Sequence, residues 1–161
     1  MAVITTFNNT QVVPSDVFGW EVNTDVGYGR ESFTITVAPA DVVRVGTILE
    51  VDYAAKTATP IAAPANAAAV EALGDLVVFV GRDLPTNPET SQDFDSLSMT
   101  EDGVGVGITR GDGRGVLKKG YLDCAGTQFY KLAEDAQKAL TAKFTTDNRF
   151  KVLDQQYTPK A

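Results

Sequence analysis

The clearest alternation of apolar and polar positions begins at Glu31, where Phe33, Ile35 and Val37 alternate with Ser32, Thr34 and Thr36. A period of two marks a strand with one buried face, and Ala38-Pro39-Ala40 ends it. Val45-Gly46-Thr47 opens a second strand over Ile48, Leu49, Glu50, Val51, Asp52 and Tyr53. In it Leu49, Val51 and Tyr53 point one way, Glu50 and Asp52 the other. A turn around Ala55, Lys56 and Thr57 returns the chain through Ala58 to Ile61. Leu76, Val77, Val78, Phe79 and Val80 are apolar without interruption up to Gly81, the pattern of a central strand buried on both faces.

Other segments are less regular. Residues 65–73 are rich in alanine, which favours a short helix, although the run also leads straight into an apolar strand. Val104, Val106 and Ile108 alternate with glycines, Gly111-Asp112-Gly113 marks a turn, and residues 116–122 read as the return strand of a hairpin. Thr127 can cap a helix over 128–144 in which Phe129, Leu132, Ala136 and Leu140 share one face. Glu134 and Lys138 add an i,i+4 pair. Thr145-Thr146-Asp147-Asn148 breaks that helix, and Phe150, Lys151, Val152 and Leu153 form a last short strand. Residues 82–103 carry two prolines and no period, and read as an exposed excursion or a contact loop.

Residues 1–30 lack a sustained period and read as an extended arm that gains order by lying on something else. Within it Val3, Ile4, Thr5, Thr6 and Phe7 have strong strand propensity but no hairpin partner nearby, and Asn8-Asn9 breaks the run. Phe18, Trp20 and Tyr28 sit around Gly19, Gly27 and Gly29 in the same segment. Such aromatics serve either as anchors at a protein interface or as caps on the local core. The expected organisation is an arm over 1–30, then one mainly β (α+β) domain over 31–161 with a long loop at 82–103.

Composition narrows the chemistry. None of the 161 residues is histidine. Imidazole is the usual general base near neutral pH and the commonest nitrogen ligand of zinc, so serine and cysteine triads and most zinc sites are excluded. The lone Cys124 cannot form an internal disulfide and reads as a small buried hydrophobe. Lysine and arginine total 14 against 21 acids, a net charge of −7 that repels phosphate backbones and anionic lipid. No stretch approaches the roughly 20 apolar residues of a membrane helix, and the first residues lack the basic flank and apolar run of a signal peptide. Neither nucleic acid nor a membrane is the expected partner.

Candidate motifs add little. The glycines from 103 to 115 contain no Gly-Lys-Ser/Thr and no Gly-x-Gly-x-x-Gly leading into a helix, so they suit a twisted strand pair better than a phosphate. Arg110-Gly111-Asp112 needs no receptor to explain a Gly-Asp-Gly turn. Asp93, Asp95, Glu101 and Asp102 could gather around calcium, but without the EF-hand order they read as solvated loop charge. Asp93, Asp95 and Glu101 are also the carboxylates that a carbohydrate-binding or hydrolytic alternative would use. The expectation is a protein that is not an enzyme and holds neither cofactor nor metal.

Three stretches resemble the head decoration (cement) proteins of lambda-like tailed bacteriophages. The first is Val45-Gly46-Thr47-Ile48-Leu49-Glu50-Val51-Asp52, followed by a small-residue approach over 67–74 into the strand 76–80. The second is Arg110-Gly111-Asp112-Gly113-Arg114-Gly115, leading through Val116, Leu117, Tyr121 and Leu122. The third is the lysine- and alanine-bearing helix at 128–144 with its closing strand at 150–153. The resemblance implies a compact β-tulip-like domain with one amphipathic helix in its C-terminal half. It implies a homotrimer on the outer surface of the virion capsid, made in the bacterial host cytoplasm, with the major capsid protein as partner. It also implies that residues 2–7 add as a strand to the edge of capsid strands. The alternative within the same kind of virus is a tail-tube or fibre-associated β domain.

Overall fold

The computed structural model describes residues 12–20, 29–82 and 97–153. The chain is mainly β with a few short helices. Its strands are β1 (Phe18–Trp20), β2 (Arg30–Ile35), β3 (Val43–Arg44), β4 (Ile48–Asp52), β5 (Thr57–Pro60), β6 (Asp75–Arg82), β7 (Ser98–Met99), β8 (Gly103–Ile108), β9 (Val116–Lys118), β10 (Asp123–Cys124), β11 (Thr127–Gln128) and β12 (Lys151–Leu153). The α-helices are α1 (Pro14–Val17), α2 (Ala67–Glu71) and α3 (Glu134–Thr146), with single 3₁₀ turns at Lys119–Tyr121 and Phe129–Lys131.

Five strands close a small barrel in the order β2-β5-β4-β6-β8 and back to β2. All neighbours are antiparallel except β2 and β5. Closure leaves no free ladder along the barrel. The β4–β5 hairpin turns tightly because Asp52 Oδ1 accepts the amides of Ala54 at 2.8 Å and Ala55 at 3.0 Å, with Lys56 at a φ of +56°. Tyr53 lies in that turn and is exposed, with its ring edge-on to the interior ring of Phe33 at 5.8 Å between centroids.

Two cores share the barrel wall. Phe33, Ile35, Leu49, Val51, Val77 and Phe79 fill the interior. Ile48, Leu76, Val78, Val80 and Ile108 face outward, under a cover that includes Leu117, Leu122, Phe129, Leu140 and Phe144. The unbroken apolar run of β6 follows: its odd positions fill the barrel and its even positions meet the cover. Burying each such side chain contributes roughly 1.5–3 kcal/mol. The glycines of β8 serve the inner core. A Cβ at Gly105 would meet Phe79 Cε2 at 2.7 Å, and one at Gly107 would meet Val77 Cγ2 at 2.7 Å. Glycine there leaves room for aromatic rings inside a narrow barrel.

Three expectations are corrected. First, β8 and β9 do not pair: β8 lies between β2 and β6, and β9 lies between β1 and β12 in a separate three-stranded sheet. The Gly111–Gly115 turn therefore carries the chain out of the barrel, held from across by Asn148 and Arg149, whose carbonyls accept Gly111 N at 2.8 Å and Gly113 N at 2.7 Å. Second, the long helix starts at Glu134 and continues through Thr146. Thr127 and Gln128 are drawn instead into a hairpin with Asp123 and Cys124, because Ala125 and Gly126 adopt φ of +47° and +91°, as a tight two-residue turn requires. Phe129 and Leu132 still reach the core, but from a 3₁₀ turn ahead of the helix. Thr145 does not break the helix because its hydroxyl donates back to Thr141 O at 2.8 Å. Third, residues 12–20 lie packed on the body. The alanine-rich run does form a helix, α2, capped by Asn66 Oδ1 accepting Ala69 N at 2.9 Å.

Candidate functional site

The N-terminal attachment is built from local chemistry. Pro14 sets the backbone for a helical start, and Asp16 reaches back so that Oδ2 accepts Val13 N at 3.1 Å while its own amide donates to Val13 O at 2.9 Å. This single turn aims Val17 into the outer core, flanked by Val12 and Phe18. Phe18 and Trp20 then pair with Leu117 and Val116 across an irregularity at Gly19. A Cβ at Gly19 would lie 2.9 Å from Val116 Cγ1, so the two strands approach as closely as glycine permits. Lys118 Nζ donates to Ser15 O at 3.0 Å and ties the turn to the same sheet.

Phe18 is 8% exposed and belongs to the core, so its ring packs within the chain rather than at an open surface. Trp20 closes β1 opposite Val116. Its side chain lies outside the described residues, as do Tyr28 and the strand-forming Ala2, Val3, Ile4, Thr5, Thr6 and Phe7. Only residues 8–11 separate that run from Val12, which is buried in the core.

A buried polar tie joins the barrel to the outer lobe. Asp123, 1% exposed, accepts Arg44 Nε at 2.8 Å and the Thr47 hydroxyl at 3.0 Å. Asn148 does similar work, donating through Nδ2 to Leu76 O at 2.8 Å and Thr109 O at 2.7 Å. Cys124 is buried, and burial together with the neighbouring Asp123 carboxylate pushes its thiol up to about 12. A thiol held there is a packing group, not a nucleophile. Burial also raises the Tyr53 phenol, reinforced by Glu31 and Asp75 and opposed by Arg110.

Among the described residues no three of His, Cys, Asp and Glu gather to hold a metal ion. Asp93 and Asp95 lie outside them. Asp102 is engaged structurally, accepting Val37 N at 2.8 Å. The grooves flanking α3 are shallow. One is lined by Val70, Glu71, Ala139, Ala142, Lys143 and neighbours, the other by Lys119, Glu134, Gln137, Lys138, Thr141 and Ala142, and neither pairs a nucleophile with a base.

Net charge alone conceals a partition. Residues 1–109 carry 15 acids and four bases, a net of −11, whereas residues 110–161 carry six acids and ten bases, a net of +4. The boundary coincides with the chain's exit from the barrel after β8. Counting charge by half rather than over the whole chain reveals it.

Compared with known proteins, the chain matches no family model, no curated protein and no solved structure.

Proposed function

We propose that this chain is a decoration protein of a tailed-phage capsid, a homotrimeric cement of β-tulip-like type that binds the outside of the mature head. One observation carries the reading: a strand-forming run at residues 2–7 stands four residues ahead of an attachment rooted in the core at Val12, Val17 and Phe18. An extended segment so placed can add to the edge of a capsid strand, with backbone hydrogen bonds giving affinity and alternate side chains giving selectivity. The barrel, closed on itself, offers no competing edge to that segment.

The energetic role follows from linkage. A protein that binds the expanded lattice but not its precursor stabilises the expanded state by about 2.7 kcal/mol per site at a hundredfold excess over Kd. Repeated over the lattice, that opposes internal DNA pressure, and three linked arms add effective concentration once one has docked. The test is deletion of residues 2–7. The deletion stops short of Val12, because removing that side chain would damage the core as well. Loss of head binding with an unchanged circular dichroism spectrum is expected. Truncated protein that still saturates heads, or labelled protein found on tails alone, rejects the proposal.

A further inference from the structure

We propose that the open mouth of the barrel, ringed by Glu31, Tyr53, Lys56, Asp75 and Arg110, binds the neutral pyranose ring of a carbohydrate. Strand direction brings these residues together. β2, β5 and β6 start at this end and β4 and β8 finish there, because neighbours run antiparallel except β2 and β5. Alternate residues of a strand share a face. Glu31 stands two positions before Phe33 and Asp75 two before Val77, so each extends a row whose deeper member fills the interior. Tyr53 follows Val51 by two and meets the Phe33 ring edge-on from above. The opposite end is plugged by Val37, Val43 and Met99, all buried. Barrel mouths are among the places where small-molecule sites form.

Tyr53 is the platform. It stays 37% exposed although Lys56 Nζ sits 5.9 Å from its ring centroid, and its turn is fixed by the two amides held on Asp52. Glu31, Asp75 and Arg110 all lie within electrostatic reach of its hydroxyl. Burial first, then the two carboxylates, raises the phenol, so at neutral pH the hydroxyl keeps its proton and can donate as well as accept. Charge decides the class of ligand. Glu31 and Asp75 offset Lys56 and Arg110, so the mouth draws in neither sign of ion. A cation would also have to displace Lys56, whose Nζ already lies 5.7 Å from the Phe33 centroid and 3.4 Å from Glu31 Oε1. A neutral sugar ring remains complementary, with an apolar C–H face to lie on the phenol. Ionised carboxylates only accept, and guanidinium and ammonium groups only donate, so a ligand bearing several hydroxyls satisfies both kinds at once. The Asp75 carboxylate, exposed and without a hydrogen bond among the described residues, is the first acceptor open to it.

The experiment applies the purified full chain to an array of neutral and sialylated glycans. Calorimetric titration follows, with the neutral oligosaccharide that gives the strongest signal and with tetramethylammonium as the cationic probe. Neutral glycans are expected to bind with a Kd of about 1 mM or tighter. Tyr53→Ala and Asp75→Ala should each weaken that binding about tenfold, whereas Tyr53→Phe, which keeps the ring, should weaken it no more than about threefold. Tyr130→Ala removes a similarly exposed tyrosine outside the mouth and should bind like wild type. Circular dichroism checks each variant, and the exposed Asp75 carries the test if Tyr53→Ala does not fold. No neutral glycan bound at up to about 10 mM overturns the inference. So does tighter binding of sialylated glycans or tetramethylammonium, wild-type binding by the Tyr53→Ala and Asp75→Ala variants, or loss of binding in Tyr130→Ala. Head binding is measured separately, so failure here leaves the decoration reading to its own test.

Discussion

Replacing Asp123 with alanine should destabilise the fold by about 3 kcal/mol. Asp123 is 1% exposed and joins Arg44 Nε at 2.8 Å to the Thr47 hydroxyl at 3.0 Å. Removing one partner of a fully buried ion pair costs roughly 3–5 kcal/mol because the other charge is stranded. Arg44 is 31% exposed, so water recovers part of that loss. The Thr47 oxygen still accepts Arg44 N at 3.0 Å and remains partly satisfied. Both facts place the effect at the lower end. For a chain of this size the melting temperature should fall by about 6–12 °C. Urea denaturation followed by circular dichroism measures the free energy directly. Asp123→Asn, which preserves shape and one acceptor but not charge, should lose about half as much. Arg44→Met combined with Asp123→Leu should come back close to wild type, since removing both charges also removes their desolvation penalty. An alanine variant within about 1 kcal/mol of wild type, or a double variant as unstable as its two single changes added together, would refute the view that this tie joins the barrel to the outer lobe.

Gly46 has a φ of +97°, and a Cβ there would overlap the Tyr121 carbonyl oxygen, so Gly46→Ala should cost about 3 kcal/mol from combined conformational and steric strain. Gly126, at a φ of +91° with open space around it, supplies the control: Gly126→Ala should cost only about 1 kcal/mol in the same denaturation experiment. Cys124 should resist thiol reagents near neutral pH until the chain unfolds, as read by labelling with and without denaturant. Its thiol is raised to about 12 in the fold, so the folded state holds its proton more tightly than the unfolded state does. Stability from this group is present below the unfolded thiol range of about 8.5 and is lost as pH rises toward 12. Cys124→Ala should remove that alkaline slope, and an unchanged slope would assign it to other groups.

Much of the barrel was legible in one dimension. The alternation of Phe33 and Ile35 with Ser32 and Thr34, and the continuous run from Leu76 to Val80, each report directly what lies on the two faces of a strand. Helical spacing was less faithful. Phe129, Leu132, Ala136 and Leu140 are all buried, yet the first two arrive from a 3₁₀ turn, because one face of burial constrains where side chains go without specifying the backbone that brings them. The Ala125-Gly126 turn was the overlooked signal. Its two positive φ values recruit Thr127 into a hairpin and delay the helix to Glu134.

Composition and periodicity, taken alone, establish a mainly β protein, exclude imidazole chemistry and place Cys124 in the interior, because each depends on residue type or on nearest neighbours. Pairing across distance is another matter. That β9 joins β1 and β12 rather than β8, that Phe18 enters the core, and that Asp123 finds Arg44 some eighty residues away are decided only when the barrel closes. The apolar outer face of β4, β6 and β8 then has to be covered, and residues 12–18, Ile61, Val70 and the chain after β8 provide the apolar side chains that cover it.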